Sequence, residues 1–74
     1  MVKETLDTTD VEWSQVIVRI AAKTVSMRQG DVLEIIGNHP SFEAVMRTWC
    51  ERLRKNIISV TTAENGVLRC QIQF

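Results

Sequence analysis

Seventy-four residues set an upper limit of one domain, spanning 1–74, with a small core. An apolar fraction of 45 % is too high for a disordered chain. Nine basic and nine acidic residues are interspersed without any like-charge run, which argues against a nucleic-acid binder or a membrane-surface protein. The apolar stretches are far shorter than a membrane span, and the segment from Met1 to Asp7 lacks the apolar run of a secretory signal. Cytoplasm is the expected compartment. Cys50, Cys70 and His39 are too few and too scattered for a zinc site, so neither metal nor cofactor is expected.

In chain order, Lys3 to Asp7 is a short strand candidate, followed by a polar turn, Asp7-Thr8-Thr9-Asp10. From Ser14, a plausible N-cap, Val16, Ile17, Ile20, Ala21, Thr24 and Met27 recur at helical spacing. Their β-branched residues lower helix propensity, so this helix must rely on packing, and Gly30 is expected to stop it. Asp31 to Gly37 reads as a strand, with Leu33 and Ile35 facing the core and Glu34 facing away.

Pro40 forces the second helix to begin after His39. Phe42, Val45, Met46, Trp49, Cys50 and Leu53 then form one apolar stripe, and Glu43 and Arg47 are an i, i+4 pair of favourable orientation. Ile57 to Thr62 and Val67 to Phe74 are strands around Ala63-Glu64-Asn65-Gly66, a hairpin signal because Asn and Gly tolerate positive φ. In the last strand Leu68, Cys70, Ile72 and Phe74 share the buried face. The sum is an α+β fold, a two-layer α/β sandwich of order β-α-β-α-β-β, with two helices on one face of a four-stranded mixed sheet.

This order resembles the TusA/SirA family of small sulfur carriers. Thr5-Leu6-Asp7 is similar to the family's opening strand. Met27-Arg28-Gln29-Gly30-Asp31-Val32-Leu33-Glu34-Ile35 is similar to its Met-x-Pro-Gly-Asp-x-Leu-x-Val segment, with Gln29 in place of proline. Pro40-Ser41-Phe42 with Trp49-Cys50 resembles its second helix, and Ile57-Ile58-Ser59-Val60 its third strand.

The functional motif departs from the family. Family spacing puts the Cys-Pro-x-Pro motif on Trp13-Ser14-Gln15-Val16, and none of its defining residues is there. Asp10 replaces a loop glycine, and the family's Gly-His-Glu-Leu reads Arg54-Lys55-Asn56-Ile57. A cysteine at a helix N-terminus has its thiolate stabilised by the dipole and free N–H groups. An indole cannot do that chemistry, so the resemblance implies a degenerate sulfurtransferase-like protein rather than an enzyme.

Cys50 and Cys70 fall on apolar faces and read as core thiols; a persulfide carrier using either is the alternative. Trp13, with Glu12, Ser14 and Gln15, is the candidate partner-docking segment, against the plainer reading of Trp13 as a lid over the core. Trp49 reads as core and His39 as a surface or capping residue. Arg47, Arg52, Arg54 and Lys55 read as the dipole complement of the second helix, or else as a patch for an acidic partner. The expected function is a partner-binding or regulatory module, with sulfur-relay or redox proteins as partners and a monomer or weak dimer as its state. An RNA-associated role rests only on a resemblance to the C-terminal domain of translation initiation factor three.

Overall fold

The computed structural model describes residues 2–74. Its elements are β1 (Val2–Asp7), α1 (Trp13–Thr24), β2 (Val32–Gly37), α2 (Phe42–Leu53), β3 (Asn56–Thr62) and β4 (Leu68–Gln73). The sheet order is β1-β2-β4-β3. β1 runs parallel to β2, and β4 is antiparallel to both β2 and β3. The result is the two-layer α/β sandwich expected from the element order.

Both helices share one face of the sheet, because their buried residues join a single core. Val16 and Ile20 from α1 and Phe42, Met46 and Cys50 from α2 meet Leu33, Ile35, Cys70 and Ile72 from the two central strands. The residues alternate with these on the open face. There Glu34 accepts hydrogen bonds from Thr5 Oγ1 (3.4 Å), Arg69 Nη1 (3.2 Å) and Gln71 Nε2 (3.1 Å). One carboxylate thus ties three adjacent strands across a wet surface.

The boundary of α1 differs from the sequence expectation at both ends. Ser14 is not the N-cap: the helix starts at Trp13, and Glu12 occupies the cap position without a side-chain cap bond. The Gln15 N–H donates to Glu12 O at 2.8 Å and closes the first turn. Nor does Gly30 stop the helix, which ends at Thr24. Beyond it the Ser26 N–H donates to Lys23 O at 3.2 Å and the Met27 N–H to Thr24 O at 3.1 Å, so tighter three-residue turns replace the helical ladder. The Thr24 and Ser26 hydroxyls add bonds to Ala21 O (2.7 Å) and Lys23 O (2.9 Å). Met27 therefore lies beyond the helix. Gly30, at φ 91°, instead turns the chain so that its N–H reaches Phe74 O at 2.6 Å.

α2 has the expected stripe with a narrower buried centre. Phe42, Met46 and Cys50 are buried, whereas Val45 and Trp49 are half-buried and Leu53 is 48 % exposed. Trp49 is therefore a flank residue and not a core one. It lines an outer groove with Ile17 and Val45 where α1 meets α2. Phe42 lies directly over Gly37, where any Cβ would collide with its ring. The Glu43–Arg47 pair forms at 2.9 Å. Arg54 ends the helix at φ 56°, a left-handed conformation, and its N–H bonds to Cys50 O and Glu51 O. The β3–β4 hairpin turns through Asn65 at φ 62° and Gly66 at φ 74°, as the Asn-Gly pair requires.

Candidate functional site at the Trp13 cleft

The parallel strands β1 and β2 end side by side, and each leads into the start of a helix. Asp7 Oδ1 accepts bonds from Thr9 N–H (2.9 Å) and Thr9 Oγ1 (2.6 Å), which folds the chain sharply at the end of β1. Thr8 turns inward and is the one buried polar residue among those described. Its N–H (2.8 Å) and its Oγ1 (2.7 Å) both donate to Ile36 O, pinning the loop to β2. Val11 N–H then donates to Thr8 O at 3.1 Å, and α1 begins two residues later.

Across from this loop, β2 leads through Asn38, His39 and Pro40 into α2. His39 organises that entry. Its carbonyl accepts the Phe42 N–H at 2.9 Å, and its Nδ1 accepts the Ser41 N–H at 3.0 Å. The side chain thus satisfies a helix-terminal donor in the way a capping residue does. Because Nδ1 accepts, the proton of the neutral ring sits on Nε2.

Trp13 closes the space between the two loops. Its ring stacks on the His39 imidazole with centroids 3.9 Å apart and planes 4° from parallel. It also packs against the core and is half-buried. Thr8, Val11, Val16, Asn38, Pro40 and Phe42 complete a cleft of about 240 Å3. The two readings of Trp13 meet in this geometry: it covers part of the core and also walls an open cleft.

Of the four docking candidates, only Trp13 lines this cleft. Glu12, Ser14 and Gln15 are exposed on the first turn of α1. The opposite wall, built from Asn38, His39 and Pro40, was not singled out for docking by the sequence. Its only signal was an aromatic-sized histidine just before a proline, and pairing with Trp13 depends on β1 and β2 being neighbours.

The thiols lie elsewhere. Cys50 and Cys70 are both buried in the shared core and unpaired as free thiols. Burial raises the Cys50 pKa. Burial also pushes Cys70 up, to about 11, with nearby Cys50 adding to the rise and Arg47 opposing it. Neither lines the cleft. The basic residues of α2 and its C-terminal end divide between roles: Arg47 holds Glu43 within the helix, while Lys55 Nζ, beyond it, lies 5.3 Å from the centre of the Phe74 ring.

Among the described residues no helix is long and apolar enough to cross a membrane, and no three His, Cys, Asp or Glu side chains are grouped to hold a metal ion. No family model matches the chain, and no curated protein matches it either.

Proposed function

We propose that this chain is a TusA/SirA-like scaffold that works in the cytoplasm as a protein-docking module and does not carry sulfur. The observation that carries this reading is Trp13 at the first residue of α1, stacked on His39 and walling an open cleft. This is the position at which the family resemblance expects the sulfur-bearing cysteine. A rigid, amphipathic ring there offers contact area at little entropic cost, which suits an interface anchor.

Two further features support the reading. Arg54 aligns with a family glycine, and its φ of 56° is a conformation glycine adopts freely. Both thiols are buried, with raised pKa values, so neither is poised as a thiolate at neutral pH.

The test compares the wild-type chain with Trp13→Ala for capture of a partner from the native host, with circular dichroism to confirm that both are folded. Removing a central aromatic anchor costs about 2 kcal/mol or more, so binding should fall roughly thirtyfold. A partner held equally well by folded Trp13→Ala would move the docking site elsewhere. Incubation with a persulfide donor, read by intact mass, should leave the folded chain unmodified. A single added sulfur on Cys50 or Cys70 with the fold intact would return the carrier reading.

A further inference from the structure

The two edges of the sheet are built differently. β1, at one edge, carries Lys3, Glu4 and Asp7, charges of the kind that discourage edge-to-edge pairing. β3, at the other edge, reads Asn-Ile-Ile-Ser-Val-Thr-Thr and has no charged residue and no proline. Ile58 is 51 % exposed there, at the register shift between Ile57 and Ser59. Among the described residues, no backbone hydrogen bond outside the β3–β4 ladder involves Asn56–Thr62. The hairpin fixes which groups are free. Ala63 N–H bonds to Val67 O at 2.7 Å, so by alternation Ser59 and Thr61 turn their backbone groups toward β4. Val60 and Thr62 turn theirs outward, ready for another strand.

The helix above this edge says which strand fits. α2 packs over β3 and β4. Its Val45–Trp49 flank meets Ile17 of α1. Helical spacing puts Glu43, Arg47 and Glu51 along the opposite flank, toward the β3 edge, and Arg54 caps the helix just beyond them, so the charges run in the order minus, plus, minus, plus. That order is complementary to its own reverse. If β3 pairs antiparallel with β3 of a second copy, the two α2 helices lie side by side and antiparallel. Glu43 then faces the second copy's Arg54, and Arg47 faces the second copy's Glu51, each pair occurring twice. Because α2 sits between β3 and β4, the helix axes would be separated by two strand spacings, roughly 10 Å, which matches ordinary helix packing. The zero net charge adds no overall repulsion.

We infer that the β3 edge and the charged flank of α2 form a twofold homodimer interface, giving a continuous eight-stranded sheet with four helices on one face. One strand and one helix per copy make a small interface, at or below the standard size of about 1,600 Å2, so the association is weak, in the micromolar range. The Trp13 cleft lies at the ends of β1 and β2, away from this edge, and stays open in the dimer.

Sedimentation velocity over a wide concentration range tests this. The wild-type chain should pass from monomer to dimer in the micromolar range. Ile58→Lys, on an exposed side chain, and Glu51→Lys, which sets a cation against the second copy's Arg47, should each raise the dissociation constant at least tenfold. The double variant Arg47→Glu with Glu51→Lys restores opposite charges across the twofold and should recover most of the loss. Circular dichroism establishes that each variant is folded. A wild-type chain that stays monomeric to about 1 mM overturns the proposal. So does a dimer indifferent to both single substitutions, which would use another surface, or a double variant no better than Glu51→Lys alone.

Discussion

Trp13 and the two cysteines show how much chemistry a few buried atoms decide. An indole at the start of α1 contributes surface and shape but no nucleophile, and its partner is the His39 ring 3.9 Å away. The two thiols are removed from solvent on the inner faces of α2 and β4, and burial raises the pKa of each. With Cys70 near 11, almost none of it is thiolate at pH 7. A thiol reagent at neutral pH should therefore label the native chain slowly, at the rate of transient opening, and label both cysteines at once in denaturant. Fast stoichiometric labelling of either in the folded chain would show that the core admits the reagent without unfolding. The burial of both thiols was legible in the sequence, because each lies on the apolar face of a strongly patterned element. The Trp13–His39 stack was not, since the residues are far apart in the chain and meet only when β1 and β2 pair.

At the scale of the element, local chemistry sets boundaries that periodicity alone misplaces. The apolar pattern of α1 runs on to Met27, but after Thr24 the Ser26 and Met27 N–H groups bond three residues back, to Lys23 O and Thr24 O, and the helix ends early. α2 ends at Arg54, whose φ of 56° costs a side-chain-bearing residue about 1–2 kcal/mol. Glycine meets no such cost there, although it loses more conformational freedom on folding. Arg54→Gly should therefore stabilise the fold by up to about 1 kcal/mol. Urea unfolding measures it, and a midpoint unchanged or lowered with the same slope would mean that Arg54 makes a compensating contact. The hairpin, in contrast, could be read directly: Asn65 and Gly66 take the positive φ values that their side chains permit.

Over the whole molecule, the charges that balance in number are also arranged to support the fold near neutral pH. Glu4 is held below its ordinary pKa by hydrogen bonds from Lys23 and then Ser26. Asp7 is held down by Thr9, and Asp31 by the Arg28 N–H and then Lys3. Carboxylates with lowered folded-state values favour folding while ionised. Their contribution is complete above the unfolded range near pH 4 and is lost as pH falls through the lowered values. Thermal melts should therefore show lower stability at pH 3 than at pH 7, and Asp31→Asn should show a shallower decline. An equal decline in that variant would remove Asp31 from the account. The sequence by itself determined the element order, the buried stripes of the two helices, the faces of β2 and β4 and the burial of the thiols. These follow from periodicities of 2.0 and 3.6 that any packed core must obey. Only the tertiary structure decided that β4 lies between β2 and β3, that β3 is left as an uncharged edge, and that His39 faces the residue the sequence had marked. Strand order and cross-loop contacts depend on how the layers close on one another, and no local pattern encodes that closure. Trp13 was therefore visible as a candidate from the start, but its cleft existed only once the two loops had been brought together.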